Sequence, residues 1–184
     1  MHRVRLLAFA AALAWCGLAV ADEYGDVGQL IHAGKWPEAI ARADQYLAAK
    51  PRDPQMRFLK GVAQTDAGRT ADAIATFTAL NQDYPELPEP YNNLAVIYAG
   101  QAQFDKARAA LEMAVRANPD YAIAYENLGD VYAKLAAQSY AKARQLDPNN
   151  PALAPKLALI RQLFVAPEKA QPSAAAPNAS APAR

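Results

Sequence analysis

The chain has 184 residues, 53% of them hydrophobic, with 19 basic side chains against 18 acidic ones. So even a balance argues against a nucleic-acid binder, which wants a basic face, and against a cationic anchor for an anionic membrane. With Cys16 as its one cysteine, the chain has no disulfide framework and no thiolate cluster for a metal. The first element is an export segment. Arg3 and Arg5 precede an uncharged apolar run from Leu6 to Leu18, and Ala19-Val20-Ala21 then leads into Asp22-Glu23. A basic start, a short apolar stretch and a small-residue cleavage signature are the order of a secretory signal peptide, here residues 1–21. The apolar run is shorter than the roughly 20 residues of a comfortable membrane span, which leaves an uncleaved anchor as the weaker alternative. Trp15 before Cys16 argues against a lipoprotein, where a small residue normally precedes the cysteine. Cleavage after Ala21 removes Cys16, Arg3 and Arg5, so the mature chain keeps 17 of its 19 basic side chains against 18 acidic. The expected destination is the periplasm, with no integral membrane span after cleavage.

The next elements repeat. Ala39, Ala73 and Ala107 stand 34 residues apart, as do Pro51, Pro85 and Pro119, and Trp36, Thr70 and Phe104. Gly61, Ala95 and Gly129 keep the same step. Tyr91-Asn92-Asn93-Leu94-Ala95-Val96-Ile97-Tyr98 aligns with Tyr125-Glu126-Asn127-Leu128-Gly129-Asp130-Val131-Tyr132. Such a period means helix pairs that cannot bury their apolar stripes alone and must stack. Small residues at 61, 73, 95, 107 and 129 let helices approach closely; Phe77, Tyr98 and Leu111 fill the space between layers. Prolines turn the chain from one unit into the next. Asp53-Pro54 reads as an N-cap followed by a first-turn proline. Ala33-Gly34 and Ala67-Gly68 sit where a first helix should stop in a left-handed cap.

A 34-residue period in which an aromatic, Leu-Gly, a second aromatic, Ala-x-x-x-Phe and a closing Pro recur resembles the tetratricopeptide repeat (TPR) family. The third unit carries Tyr91, Leu94-Ala95, Tyr98, Ala107, Leu111 and Pro119; the second keeps Gly61, Ala73, Phe77 and Pro85 but has Arg57 and Gln64 where aromatics are usual. The first keeps only Ala39, Ala43 and Pro51. The resemblance implies an all-α fold, a right-handed α-solenoid of antiparallel helix pairs with about three and a half repeats and a C-terminal capping helix. Its expected parts are a weak first repeat over 22–53, repeats over 54–87 and 88–121, a shortened fourth repeat over 122–148, and the cap over 149–165.

The fourth unit departs from the period. Pro148 follows Pro119 by 29 residues, so five are missing. Ala136, Tyr140, Ala143 and Pro148 still fit the second-helix pattern, which locates the deletion in the turn between the helices. Either a very tight turn survives near Ala136-Ala137, or the two helices fuse. Fusion is favoured, because Val131 to Leu146 holds no glycine or proline and Leu128, Val131, Tyr132, Leu135, Ala136, Tyr140, Ala143 and Leu146 hold one apolar stripe. The expected helix runs from Tyr121 to Leu146, roughly 39 Å at 1.5 Å per residue. Ala152 to Val165 is amphipathic through Leu153, Leu157, Ile160, Leu163 and Phe164 and serves as the cap. In the tail over 166–184, 12 of 19 residues are Ala or Pro, a composition that builds no core and reads as disordered.

Catalysis needs a constellation of groups, and none is found. His2 leaves with the export segment, and His32 alone makes a poor zinc site. No phosphate loop, dinucleotide glycine pattern or nucleophile elbow occurs. No catalytic, cofactor-binding or metal-ligating residue is assigned and no cofactor is expected. Glu126 and Asp130 share a helix face and read as a solvated surface or a small acidic patch for a basic partner. Tyr91, Tyr98, Tyr125 and Tyr132 read as packing between repeats.

In the family resemblance the first helix of each pair lines a concave groove that holds a peptide or helix of another protein. The matching positions are Gln55, Phe58, Val62, Thr65, Glu89, Asn92, Asn93, Val96, Glu126 and Asp130. Some relatives clamp a C-terminal carboxylate with basic residues at such positions; Gln55, Phe58, Glu89, Asn92, Ile123 and Glu126 supply none. The expected function is a non-catalytic interaction scaffold of the cell envelope that assists an assembly there. The alternative is a structural protein that dimerises through the long fourth-repeat helix and the terminal helix, and an enzyme using the groove carboxylates is the third reading.

Overall fold

Local chemistry sets the helix boundaries at a constant step. The computed structural model of the protein describes residues 18–165, with side chains from residue 23 onward. Residues 1–17, with Cys16 and most of the expected export segment, and the tail over 166–184 lie outside the described residues. The described helices are α1 (Leu18–His32), α2 (Trp36–Ala49), α3 (Pro54–Asp66), α4 (Thr70–Asp83), α5 (Pro88–Gly100), α6 (Phe104–Ala117), α7 (Ala122–Leu146) and α8 (Leu153–Gln162). No strand occurs among the described residues. α3, α5 and α7 start 34 residues apart, as do α2, α4 and α6. Pro54 and Pro88 occupy first-turn positions, where a missing N–H costs nothing. The Asp53 carboxylate caps α3 by accepting from the Met56 N–H at 2.9 Å.

The turns inside the pairs repeat atom for atom. Gly34 and Gly68 take φ of 71° and 72°, the left-handed conformation that glycine adopts freely. Lys35 N–H then donates to the Leu30 carbonyl at 2.9 Å and Arg69 N–H to that of Gln64 at 2.8 Å. In the third unit Ala102 holds the same place at φ 57°, and Gln103 N–H donates to the Tyr98 carbonyl at 2.9 Å. The next position at this step is Ala136, and there α7 runs on without a break.

Packing follows the small-to-large register. The Phe77 ring is fully buried, and a Cβ placed on Gly61 would lie 2.6 Å from it. Glycine there is therefore what lets α3 approach α4. Phe58 lies against Phe77 at 5.8 Å between ring centroids in a tilted arrangement. In the third unit Ala95, Ala107, Leu111 and Ala114 form a buried cluster with Ala124 and Val131 of α7. The two departures from aromatic packing in the second unit are answered by polar pairs. Arg57 reaches Asp83 at 2.6 Å, and the buried Gln64 accepts from Thr76 Oγ1 at 2.7 Å.

The first unit, weakest in sequence, is closed by a polar cluster over an apolar core of Val27, Ala39, Ile40, Ala43, Met56 and Ala63. Tyr24 and Tyr46 both donate to Asp53 Oδ2, at 2.5 and 3.2 Å. Burial pushes the Asp53 carboxyl up. The Tyr24 hydroxyl, the Met56 N–H, the Tyr46 hydroxyl and the Lys50 charge outweigh it and hold the group below its ordinary value. The same bonds, that to Asp53 first, push the Tyr24 phenol far up. Arg42 adds ion pairs to Glu23 at 3.0 Å and Asp26 at 3.5 Å.

The helices divide into two compact units, one ending at Leu135 and the other beginning at Ala136, within α7. The first holds α1–α6 and the opening turns of α7. In the second, Leu153 and Leu157 of α8 are buried, and Lys156 Nζ lies 5.0 Å from the Tyr140 ring.

Candidate functional site

The first helices of successive pairs lie side by side: α1 packs on α3, and α3 on α5. This row carries the predicted groove residues, and the structure separates them into three groups. Gln55, Phe58 and Glu89 come together. With Pro54, Leu87 and Pro90 they line a cleft of about 300 Å³ between the starts of α3 and α5. Its floor is apolar and stiffened by prolines; Gln55 and Glu89 are exposed at its rim. Tyr121 stands close enough to Glu89 to sense it: burial, and then the Glu89 charge, raise its phenol above the ordinary value.

The second group is used inside the protein. Asn92 is 7% exposed, and its side-chain carbonyl accepts from Asn127 Nδ2 at 2.8 Å, tying α5 to α7. Asn93 Nδ2 donates to the Glu89 carbonyl at 2.9 Å, and Thr65 Oγ1 to the Gly61 carbonyl at 2.9 Å. Val62 is half-buried against the cluster of Ala73, Phe77, Leu94 and Ile97. The third group faces solvent: Val96, 51% exposed, with Glu126 and Asp130. Among the described residues no three His, Cys, Asp or Glu side chains gather in a way that could hold a metal ion. No described helix is long and apolar enough to cross a membrane.

Sequence reasoning missed a second cleft, of about 480 Å³, among α4, α5 and α6. Tyr91, Tyr98, Lys106 and Met113 line it, with Lys106 Nζ 5.5 Å from the Tyr98 ring. Asn81 also lines it, 8% exposed, with neither its oxygen nor its nitrogen hydrogen-bonded. The available signal was an amide directly after Leu80, on a helix flank that the period requires to be covered.

Comparison with known proteins fits this geometry. Two family models, each described as a tetratricopeptide repeat, match residues 30–88 and 64–130. A tetratricopeptide repeat domain-containing protein of Arabidopsis thaliana, PYG7 of the chloroplast, is 38% identical over 79 residues. That match takes in 40% of this chain and spans 26% of the plant protein's length. Among solved structures, MamA superposes with a TM-score of 0.55 at 23% identity, covering 74% of this chain and 82% of MamA. The first TPR of Spaghetti (RPAP3), solved bound to an HSP90 peptide, gives a TM-score of 0.58 at 16% identity over 63% of this chain and 92% of that one. With 34-residue helix starts, left-handed turns at a constant step and two matching family models, the chain is an α-solenoid of TPR repeats and belongs to the tetratricopeptide repeat family.

Proposed function

We propose that this chain is an exported, non-catalytic scaffold that seats an extended peptide or a helix of an envelope protein along α3 and α5. The cleft of about 300 Å³ framed by Pro54, Phe58, Leu87 and Pro90 carries this reading. A proline-stiffened apolar floor with Gln55 and Glu89 at its edge offers one anchor pocket and polar edges, which is how grooves take peptides. The acidic side chains Glu89, Glu126 and Asp130 along the same row favour a partner with basic residues beside its apolar anchor. The RPAP3 repeat domain, which shares the fold, was solved with a peptide bound. Export to the periplasm rests on the order of residues 1–21, and an N-terminus at Asp22 in protein recovered from the envelope fraction is its test.

Binding is tested by pull-down from envelope extract with Gln55→Arg, Glu89→Arg and Val96→Asp, all at exposed positions. Loss of the same partner from all three baits, with unchanged thermal unfolding, is the expected result. Retention of every partner by the triple variant would remove the groove from consideration.

A further inference from the structure

The fourth unit has an uncovered face that its own sequence is built to cover. In the third unit α6 lies over the side of α5 that carries Tyr91, Ala95 and Tyr98, and Ala95 is left 1% exposed. In the second unit the Phe77 ring fills the notch over Gly61. The matching residues of α7 are Tyr125, Gly129 and Tyr132. Both tyrosines are about half exposed, at 50% and 48%, and a Cβ on Gly129 would have no neighbour within 4 Å. A notch made for a large side chain stands open.

The covering helices of the other units share one pattern: a small residue, a large apolar one four positions on, and an apolar one three further. It reads Ala73, Phe77, Leu80 in α4 and Ala107, Leu111, Ala114 in α6. The chain carries the pattern once more as Ala136, Tyr140, Ala143, but within α7 itself. A segment of a continuous helix cannot fold back on the face that precedes it. The turn that would permit this is the piece the sequence lacks, and shortening a hinge in this way favours exchange of the element between copies.

We infer that α7 pairs antiparallel with α7 of a second copy of this chain, each placing its Ala136–Tyr140–Ala143 stripe on the Tyr125–Gly129–Tyr132 face of the other. This does not rest on the groove reading. The register follows from the second unit. Phe77 sits on Gly61, so Tyr140 of one copy sits on Gly129 of the other. That pairing fixes a two-fold axis between Lys134 and Leu135, and the same axis returns the reciprocal contact. All six residues follow one another at steps of three and four, so a single stripe supplies both halves of the interface. The helix is 25 residues long, roughly 37 Å at 1.5 Å per residue, and the contact can run along most of it. Charge fits as well. Glu126 and Arg144 are exposed on one edge of the stripe, and the axis brings Glu126 of each copy beside Arg144 of the other. Ala136, Tyr140 and Ala143 are half-buried rather than enclosed, with Lys156 over the Tyr140 ring.

The test uses the purified chain carrying Cys16→Ser. Sedimentation and light scattering at rising concentration should give twice the mass of one chain. Inserting a five-residue glycine-containing turn between Leu135 and Ala136 should yield a monomer, because the second helix can then cover its own unit. Gly129→Cys and Tyr140→Cys variants, oxidised separately, should stay uncrosslinked; mixed and oxidised, they should form a disulfide-linked pair. Gly129 has open space around it, so its variant tests contact without a packing penalty. A single-chain mass at every concentration would overturn the inference and leave the face to a helix from another protein. A dimer that survives the insertion and gives no mixed crosslink would overturn it equally, placing the interface elsewhere.

Discussion

Gly61 and Gly129 hold the same place in two repeats and live in opposite surroundings. Around Gly61 the second helix of the pair is present, and its Phe77 ring leaves no room for a methyl group. Around Gly129 the second helix has been drawn out into the length of α7, and the space is empty. The same residue is thus a packing requirement in one unit and a remnant of that requirement in the other. A repeat pattern reports which contacts a unit is built for; the chain's connectivity decides which of them are made within it.

The largest effect should come from the filled notch. Phe77→Ala removes a fully buried ring that packs on Phe58 and closes Gly61, and should cost about 3–5 kcal/mol in urea unfolding. Tyr132→Ala, the loss of a half-exposed ring in the open unit, should cost under about 1 kcal/mol in the monomeric chain. Equal costs would break the comparison. Gly61→Ala comes next. Alanine favours helix by about 1 kcal/mol, but here its methyl meets a buried ring that cannot retreat, for a net loss of about 1–3 kcal/mol. A Phe77→Leu background should remove most of that loss, and a double-mutant cycle measures the difference.

The period was legible because six helix starts obey it, and the residues at the filled notches were legible because only small-against-large pairs fit there. Other features were not, for stated reasons. Arg57 and Gln64 look like defects until Asp83 and Thr76 are brought to them, and those partners lie 26 and 12 residues away. Asn92 has groove register, but its bond to Asn127 depends on how α5 meets α7. Phe58 and Glu89 share a cleft because proline-led helices bring their starts together, which no local pattern reveals. The left-handed turn at Ala102 was hidden by its residue type. Two glycines marked the turn elsewhere, and alanine pays the steric penalty here. Ala102→Gly should therefore gain about 0.5–1 kcal/mol in the denaturation midpoint, whereas Gly68→Ala, the reverse change one repeat earlier, should lose a similar amount.

Gly129→Ala is the smallest change and the most discriminating. Within one chain the methyl enters empty space, and replacing a mid-helix glycine should stabilise by about 0.5–1 kcal/mol. That gain is the opposite in sign to the loss at Gly61, and dilute thermal unfolding checks it. Concentration then separates the two states of the open face. Where a second copy seats Tyr140 on Gly129, the new methyl meets a ring, as it does at Gly61. The stabilisation seen in dilute protein should then shrink as concentration rises, and the dimer should weaken. A gain that holds constant across the whole range means that nothing in this chain fills the notch, and the likeness between the two glycines ends at their place in the repeat.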